Sequence, residues 1–286
     1  MTAPHRLQGI VLLLVGIFLF AVFDATSKYL AQSFPVQLLV WARYSVNLVI
    51  MLIVVVPSAG RDVVITRSPW LMILRGVLLV TCTLFLVLAL RTLPLAETSA
   101  LAFLSPLLVV LLAGPLLGEE MKLRNWIAAI GGFVGMLLIA RPGGAVSGIG
   151  VVYALSAALC NAFYQILTRR LSATESPMRQ LFYTALVGTV IMTFLIPPYW
   201  TGTTPTLAQG LLIASLGCSG GGAHFLLIRA FRDTPASTLA PLLYIQLIWA
   251  MLLGWLVFGQ FPDGLATCGM LIIGASGLSL ALYRPR

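Results

Sequence analysis

Charge is what this sequence has least of. Asp, Glu, Lys and Arg make up 9% of its 286 residues, where an ordinary soluble domain carries about 25%. Hydrophobic side chains make up 60%, and the mean hydropathy is +1.03. Such a chain cannot clothe itself in a solvated surface, which excludes a soluble globular protein and points to a membrane protein. Histidine is scarcer still, with His5 near the start and His224 deep in an apolar run. No H-E-x-x-H, G-x-S-x-G or facing carboxylate pair occurs, so an intramembrane enzyme lacks its parts. A G-x-x-x-x-G-K-[ST] loop is also missing, which removes ATP as a direct energy source. The four cysteines (Cys82, Cys160, Cys218 and Cys268) each fall inside an apolar run. Their spacing fits neither a disulfide framework nor a metal site, and they read as small buried residues. No metal and no cofactor is expected. The net charge of +9 forms no contiguous soluble basic face, so nucleic acid is not a partner.

What is abundant is apolar sequence in span-sized blocks. A spanning helix needs about 20 mainly apolar residues. Ten such blocks are predicted, at 9–31, 36–56, 69–90, 95–117, 124–140, 148–170, 179–197, 206–230, 235–258 and 264–283. The first begins within ten residues of Met1, lacks a small-residue cleavage site and flows into "FDATSKYLAQ". It therefore reads as a span rather than a removed signal. The linkers are too short for an extramembrane domain. Thirteen of the 17 basic residues fall on one side of the membrane, and Lys28, Arg43, Arg91 and Arg141 on the other. By the positive-inside rule both termini are expected in the cytoplasm.

The chain also repeats itself. At an offset of 141 residues Gly76 falls on Gly217, Arg91 on Arg232 and Pro94 on Pro235, so that "RTLP" recurs as "RDTP". After a two-residue gap "GGFVGMLLIARP" pairs with "GASGLSLALYRP". Five spans per half is an odd number, so the second copy must enter the membrane inverted. The expected fold class is an all-α membrane protein with ten transmembrane helices, arranged as two inverted five-helix repeats around a central cavity. Residues 1–143 form the first repeat and 144–286 the second. Inverted repeats with a midplane site between them are a common build of secondary transporters.

Few polar residues lie deep in the spans, so each can be weighed. Asp24 and Arg43 sit at equal depth, roughly 10 Å below one surface, which permits an ion pair. Lys28, one turn after Asp24, offers a competing partner. These three and Glu97 are gating or coupling candidates, with a structural pair as the other reading. In the sixth span Asn161, Tyr164, Gln165 and Thr168 share one face, which lines a cavity or bonds to a neighbouring helix. The ninth span carries Tyr244, Gln246 and Trp249, an amide beside an indole near mid-membrane. Ser105 extends a small polar stripe in the fourth span. Pro106 and Pro241, in repeat-related helices, break the hydrogen-bond ladder and serve as candidate hinges or carbonyl donors to a ligand. In "GCSGGGAHFLLIRAF" the glycines Gly220, Gly221 and Gly222 allow either close helix approach or bending. His224 aligns with Thr83 at the 141-residue offset. The predicted substrate site is thus Asn161, Tyr164, Gln165, Tyr244, Gln246, Trp249, His224, Thr83 and Ser105. Gly131 and Gly135 form a G-x-x-x-G read mainly as packing within the chain, and a monomer or weak dimer is expected.

These features resemble the drug/metabolite transporter superfamily of the EamA type. The segments carrying the resemblance are "ALAFLSPLLVVLLAGPLLGEE" in the fourth helix and "APLLYIQLIWAMLLGWLVFGQ" in the ninth. Within that superfamily the chain is similar to bacterial aromatic and neutral amino acid exporters. The resemblance implies a basket of helices, with helices one, three, four, six, eight and nine around the cavity. It implies a secondary transporter, not an enzyme, that exports small metabolites by alternating access across the bacterial inner membrane. Aromatic and other neutral amino acids are the first expected cargo, and another metabolite or drug class the second. The partners are then the substrate and the lipid bilayer. A channel would need a continuous polar helix face or a symmetric polar ring, and neither is visible.

Overall fold

The computed structural model describes residues 3–55, 57, 60–117, 123–141, 147–172, 174–199, 202–233 and 239–281. The repeat boundary at 143/144, Lys122, Pro235, Arg284 and Arg286 lie outside these residues, and so do the side chains of Arg124, Arg232 and Pro241. Within the described residues the structure is helical, without strands. The α-helices are α1 (Ala3–Leu30), α2 (Val36–Ile50), α3 (Pro69–Thr92), α4 (Leu95–Ala102), α5 (Ser105–Leu117) and α6 (Leu123–Ala140). The second half supplies α7 (Gly148–Leu171), α8 (Pro177–Leu195), α9 (Leu207–Asp233), α10 (Ile245–Phe258) and α11 (Gly264–Ala281). Seven segments are long and apolar enough to cross a membrane, and three shorter apolar helices, Asn125–Ala140, Leu242–Phe258 and Gly264–Ser279, bring the bundle to ten.

Local chemistry explains the boundaries. Ser176 caps α8 by accepting from the Arg179 N–H at 3.3 Å, with Pro177 in the first turn, where a missing N–H costs nothing. α10 ends on Gly259 at φ 64°, with its N–H on the Trp255 carbonyl; this left-handed closure suits glycine. The fourth span, expected as one helix, is two. α4 stops at Ala102, Phe103 and Leu104 form a turn, and α5 starts at Ser105. Pro106 explains the break: it supplies no N–H and its ring clashes with the carbonyl four residues back. The ninth span opens correspondingly as a 3-10 segment, Ala240–Tyr244, before α10 begins.

Packing follows the repeat. α1 lies along α9 as α7 lies along α3, and α2 on α9 as α8 on α3. α2 with α8 and α6 with α11 form pairs that each join the two halves. The correspondence reaches single residues. A Cβ on Gly76 would meet Val187 at 2.8 Å, and one on Gly217 would collide with Val46. Both the glycines and the valines are 141 residues apart. Gly131 and Gly135 face Ser276, Gly269 and Ile273 of α11, so the G-x-x-x-G packs inside the chain. The largest core cluster runs from Ala89 through Ala96, Ala100 and Leu104 to Ala154, Leu247 and Ile273, filling the space between α3, α4, α7, α10 and α11. Of the cysteines expected to be buried, Cys82 is, whereas Cys218 and Cys268 are exposed on helices whose outer faces suit lipid.

Candidate functional site

The site grows from the glycine run of α9. With no side chains at Gly217, Gly220 and Gly221, α2 lies close enough for Val46, Arg43 and Asn47 to fill their places. Arg43 then reaches across the bundle. Its Nη1 donates to Thr83 Oγ1 at 2.8 Å, and its Nη2 lies 3.4 Å from His224 Nε2. The guanidinium stacks over Phe23 at 4.5 Å. Thr83 in turn donates to the Leu79 carbonyl and shares a 2.8 Å hydrogen bond with Tyr44. Phe20 closes edge-on against His224 at 4.9 Å. The repeat-related Thr83 and His224 therefore grip one arginine between them. α9 runs unbroken through Gly220, Gly221 and Gly222.

Asp24, buried on α1, lies within electrostatic reach of Arg43 and within side-chain hydrogen-bonding reach of Gln246. The direct Asp24–Arg43 ion pair permitted by their depth does not form among the described residues. Arg43 is turned instead toward α3 and α9. Lys28 does not compete for Asp24 either. Its Nζ donates to the carbonyls of Leu90 at 2.8 Å and Leu93 at 2.5 Å, which lack helical partners at the end of α3. Beside Asp24 and Gln246, Trp249 meets Phe18 edge-on at 4.9 Å. Tyr244 packs on Phe103, with its hydroxyl over the bare backbone of Gly277.

The polar stripe of α7 divides. Gln165 donates to Ser105 Oγ at 2.9 Å, tying α7 to α5. Tyr164 and Thr168 turn to a residue that sequence reasoning placed in the cytoplasmic charge count, Arg75. Its Nη2 donates to Tyr164 Oη at 2.6 Å, its Nε to Thr168 Oγ1 at 2.7 Å, and its Nη1 to the Gln180 carbonyl and Thr184 Oγ1. Arg75 is 3% exposed, and no carboxylate pairs with it among the described residues. Its position six residues into α3, roughly 9 Å deep, was the available signal. Half-buried Asn161 makes no side-chain hydrogen bond among the described residues.

Two cavities open at the end of the bundle that holds the connections at 31–35, 93–94 and 259–263 together with Arg141, Ser147 and Tyr199. The larger, about 400 Å³, is lined by residues including Gln32, Gln37, Arg91 and Tyr199. The smaller, about 220 Å³, is lined by Thr92, Glu97, Arg141, Ser147 and Asp263 among others. Of the predicted site residues only Glu97 borders either one. At the opposite end Glu175 accepts from Thr66 Oγ1 at 2.7 Å, the Arg67 N–H at 2.9 Å and Arg179 Nη1 at 2.5 Å. Burial opposes ionisation of this carboxyl, but those bonds and the Arg179 charge prevail and hold it below the usual carboxylate range.

Comparison with known proteins fits this architecture. The EamA-like transporter family matches the chain twice, over residues 7–141 and 148–282. An S-adenosylmethionine uptake transporter of Rickettsia bellii is 30% identical over 87% of this chain and 85% of its own. A riboflavin transporter of Vibrio cholerae is 26% identical over 94% and 91%, and a pseudopaline exporter of Pseudomonas aeruginosa 27% identical over 96% of both. A solved crystal structure 21% identical superposes over the whole of both chains with a TM-score of 0.67, which supports the fold. The double match, on ten apolar helices packed as two repeats, makes this chain a member of the EamA-like transporter family, a multi-pass membrane transporter and not an enzyme.

Proposed function

We propose that the chain is a secondary carrier of the bacterial inner membrane for metabolites that bear an amino-acid head. Aromatic and other neutral amino acids are the simplest of these, exported when their gradient points out of the cell. The observation that carries the reading is the arrangement of Asp24 and Arg43, opposite charges within electrostatic reach that do not close on each other. A zwitterion supplies what each lacks: its ammonium suits Asp24 with the Gln246 amide, and its carboxylate suits Arg43 with His224. The rings of Phe18, Trp249, Phe20 and Phe23 offer apolar and aromatic contact for the rest of the molecule. An S-adenosylmethionine transporter among the relatives supports a head of this kind, since that metabolite joins an amino-acid head to a purine. Uptake and export both occur among the relatives, so net direction follows the gradients rather than the fold.

The basic-residue asymmetry supports cytoplasmic termini and a cytoplasmic position for the Glu175 end. Alternating access then bends the bundle at its discontinuous spans, at Pro106 and Pro241, while the close approach of α2 to Gly217, Gly220 and Gly221, with Gly222 facing Leu19 of α1, lets those helices slide. Proteoliposomes loaded with tryptophan, phenylalanine, leucine or S-adenosylmethionine test the substrate class. Saturable counterflow is expected. Analogues lacking the amine or the carboxylate should compete at least tenfold less well, the loss expected for about 1.4 kcal/mol. Equal competition by both analogues would remove the zwitterion site.

A further inference from the structure

The larger cavity, at about 400 Å³, falls within the roughly 300–1,000 Å³ of small-molecule sites. Five polar side chains reach its wall: Gln32 and Ser33 after α1, Gln37 in the first turn of α2, Arg91 in the last turn of α3, and Tyr199 beyond α8. None of the five makes a side-chain hydrogen bond or an ion pair among the described residues. An arginine at a helix end commonly bonds the last carbonyls. Here Lys28 takes those of Leu90 and Leu93, and the Arg91 guanidinium is left over. No carboxylate is among the described residues that line this cavity. The smaller cavity is the opposite case, with Arg141 bonded to Asp263 and Glu97 beside them. Phe34 and Leu88 give the larger one an apolar wall. A forked cation, amide and hydroxyl donors and an apolar wall together suit a carboxylate carried on an apolar or aromatic body. An amine without a carboxylate meets only repulsion from Arg91.

The position gives that chemistry a use. Gln37 lies six residues before Arg43 on α2, and Arg91 eight residues after Thr83 on α3. At 1.5 Å per residue these are steps of roughly 9 and 12 Å toward the same end of the bundle. Arg43 and Thr83 are themselves hydrogen-bonded, so the cavity lies about 10 Å beyond the central site along both helices. The proposed orientation turns this end to the outside. Resting on the carrier reading for its natural occupant, we propose that the cavity is a second substrate site, an outer vestibule where Arg91 binds the carboxylate of the cargo. Gln32, Gln37 and Tyr199 complete the hydrogen bonds to that group. The two sites then select differently: the central pair requires both charged ends of a zwitterion, and the vestibule requires the carboxylate alone.

The test uses purified full-length protein in maltoside, a detergent without phosphate, and equilibrium dialysis of radiolabelled indolepropionate, which is tryptophan without its amine. Wild type should bind one indolepropionate, displaced by tryptophan and not by tryptamine. Arg91→Gln should weaken that binding roughly tenfold or more, the loss of a charge-assisted contact. Arg91→Lys keeps the charge without the fork and should fall between. Unchanged binding in Arg91→Gln would overturn the vestibule. So would binding that added phosphatidylglycerol abolishes, which would give the cavity to a lipid headgroup. Tryptophan should bind wild type twice. A single tryptophan site, lost in Arg91→Gln, would remove the central zwitterion site and leave the vestibule. Tryptophan counterflow without any indolepropionate binding would do the reverse. Should Arg91→Gln fail to fold, Arg91→Lys and the tryptamine comparison decide.

Discussion

The two ends of the bundle join the same two repeats by different means. At the Glu175 end the seam is sewn with short polar bonds. Arg75 of α3 holds Tyr164, Thr168, Thr184 and the Gln180 carbonyl. Glu175 accepts from the Thr66 hydroxyl and the Arg67 N–H, and Tyr183 donates to the Val64 carbonyl at 2.8 Å. At the other end the repeats meet through the exposed Arg141–Asp263 pair and an exposed hydrogen bond from Trp41 to Thr193, beside two cavities. One end is latched and the other parted, the asymmetry that the alternating access proposed above requires of a single state. The difference also says what must be undone to reverse it. Hydrogen bonds between membrane helices average only about 0.6 kcal/mol, so a latch of this size remains within the reach of a substrate's binding energy.

The strongest way to break the comparison is to cut the latch. Arg75→Ala removes four bonds at roughly 0.6–1 kcal/mol each, so a loss of about 2–4 kcal/mol is expected in detergent unfolding. A cysteine placed at Thr184 should then become reactive to reagent from the Glu175 side. Arg75→Lys keeps the charge but not the planar, many-armed donor, and should fall between. If Arg75→Ala left both readouts at wild type, the clasp would be packing without consequence. A smaller effect tests the part of the molecule that is alike in both halves. Gly76→Ala and Gly217→Ala push a methyl group into Val187 and Val46 respectively, and overpacking costs about 1–3 kcal/mol. Because the contacts are related by the repeat, the two losses should agree. A large inequality would show that the halves share sequence spacing without sharing packing.

Legibility followed the physics of each feature. Span number and the inverted repeat were readable, because hydropathy and a fixed offset survive in any apolar sequence. Pro106 announced a break, since no neighbour can restore the missing N–H. What hid was direction. Asp24 and Arg43 matched in depth, but sequence spacing does not say that the guanidinium turns to Thr83 and His224. Tyr164 and Gln165 are adjacent, yet one faces Arg75 and the other Ser105. Arg75 itself went unrecognised because counting by loops treats a basic residue near a span end as a topology signal, and its partners come from two helices about 90–110 residues away. The glycine run could be narrowed to approach or bending, and the contacts with Arg43 and Asn47 show approach.

The smallest expected effect concerns pH, and it separates the two ends without touching the membrane-spanning residues. Glu175 is 2% exposed and its carboxyl lies below the ordinary range. A depressed folded pKa contributes stability above the unfolded value of about 4.3, and that contribution is lost as pH falls through the folded value. Asp263 is also held low, chiefly by the hydrogen bond from Arg141 and then by the Ala266 N–H. The sign is the same, but its side chain is 58% exposed, where solvent screens the pair. Melting temperature measured from pH 7 down to about pH 2 should therefore hold until pH nears the unfolded value of about 4.3 and then fall, for wild type and for Asp263→Asn alike. Glu175→Gln should start lower and fall less steeply, because the ionisation that supported the latch is already gone. If Asp263→Asn flattened the curve and Glu175→Gln did not, the tighter seam would lie at the end with the cavities.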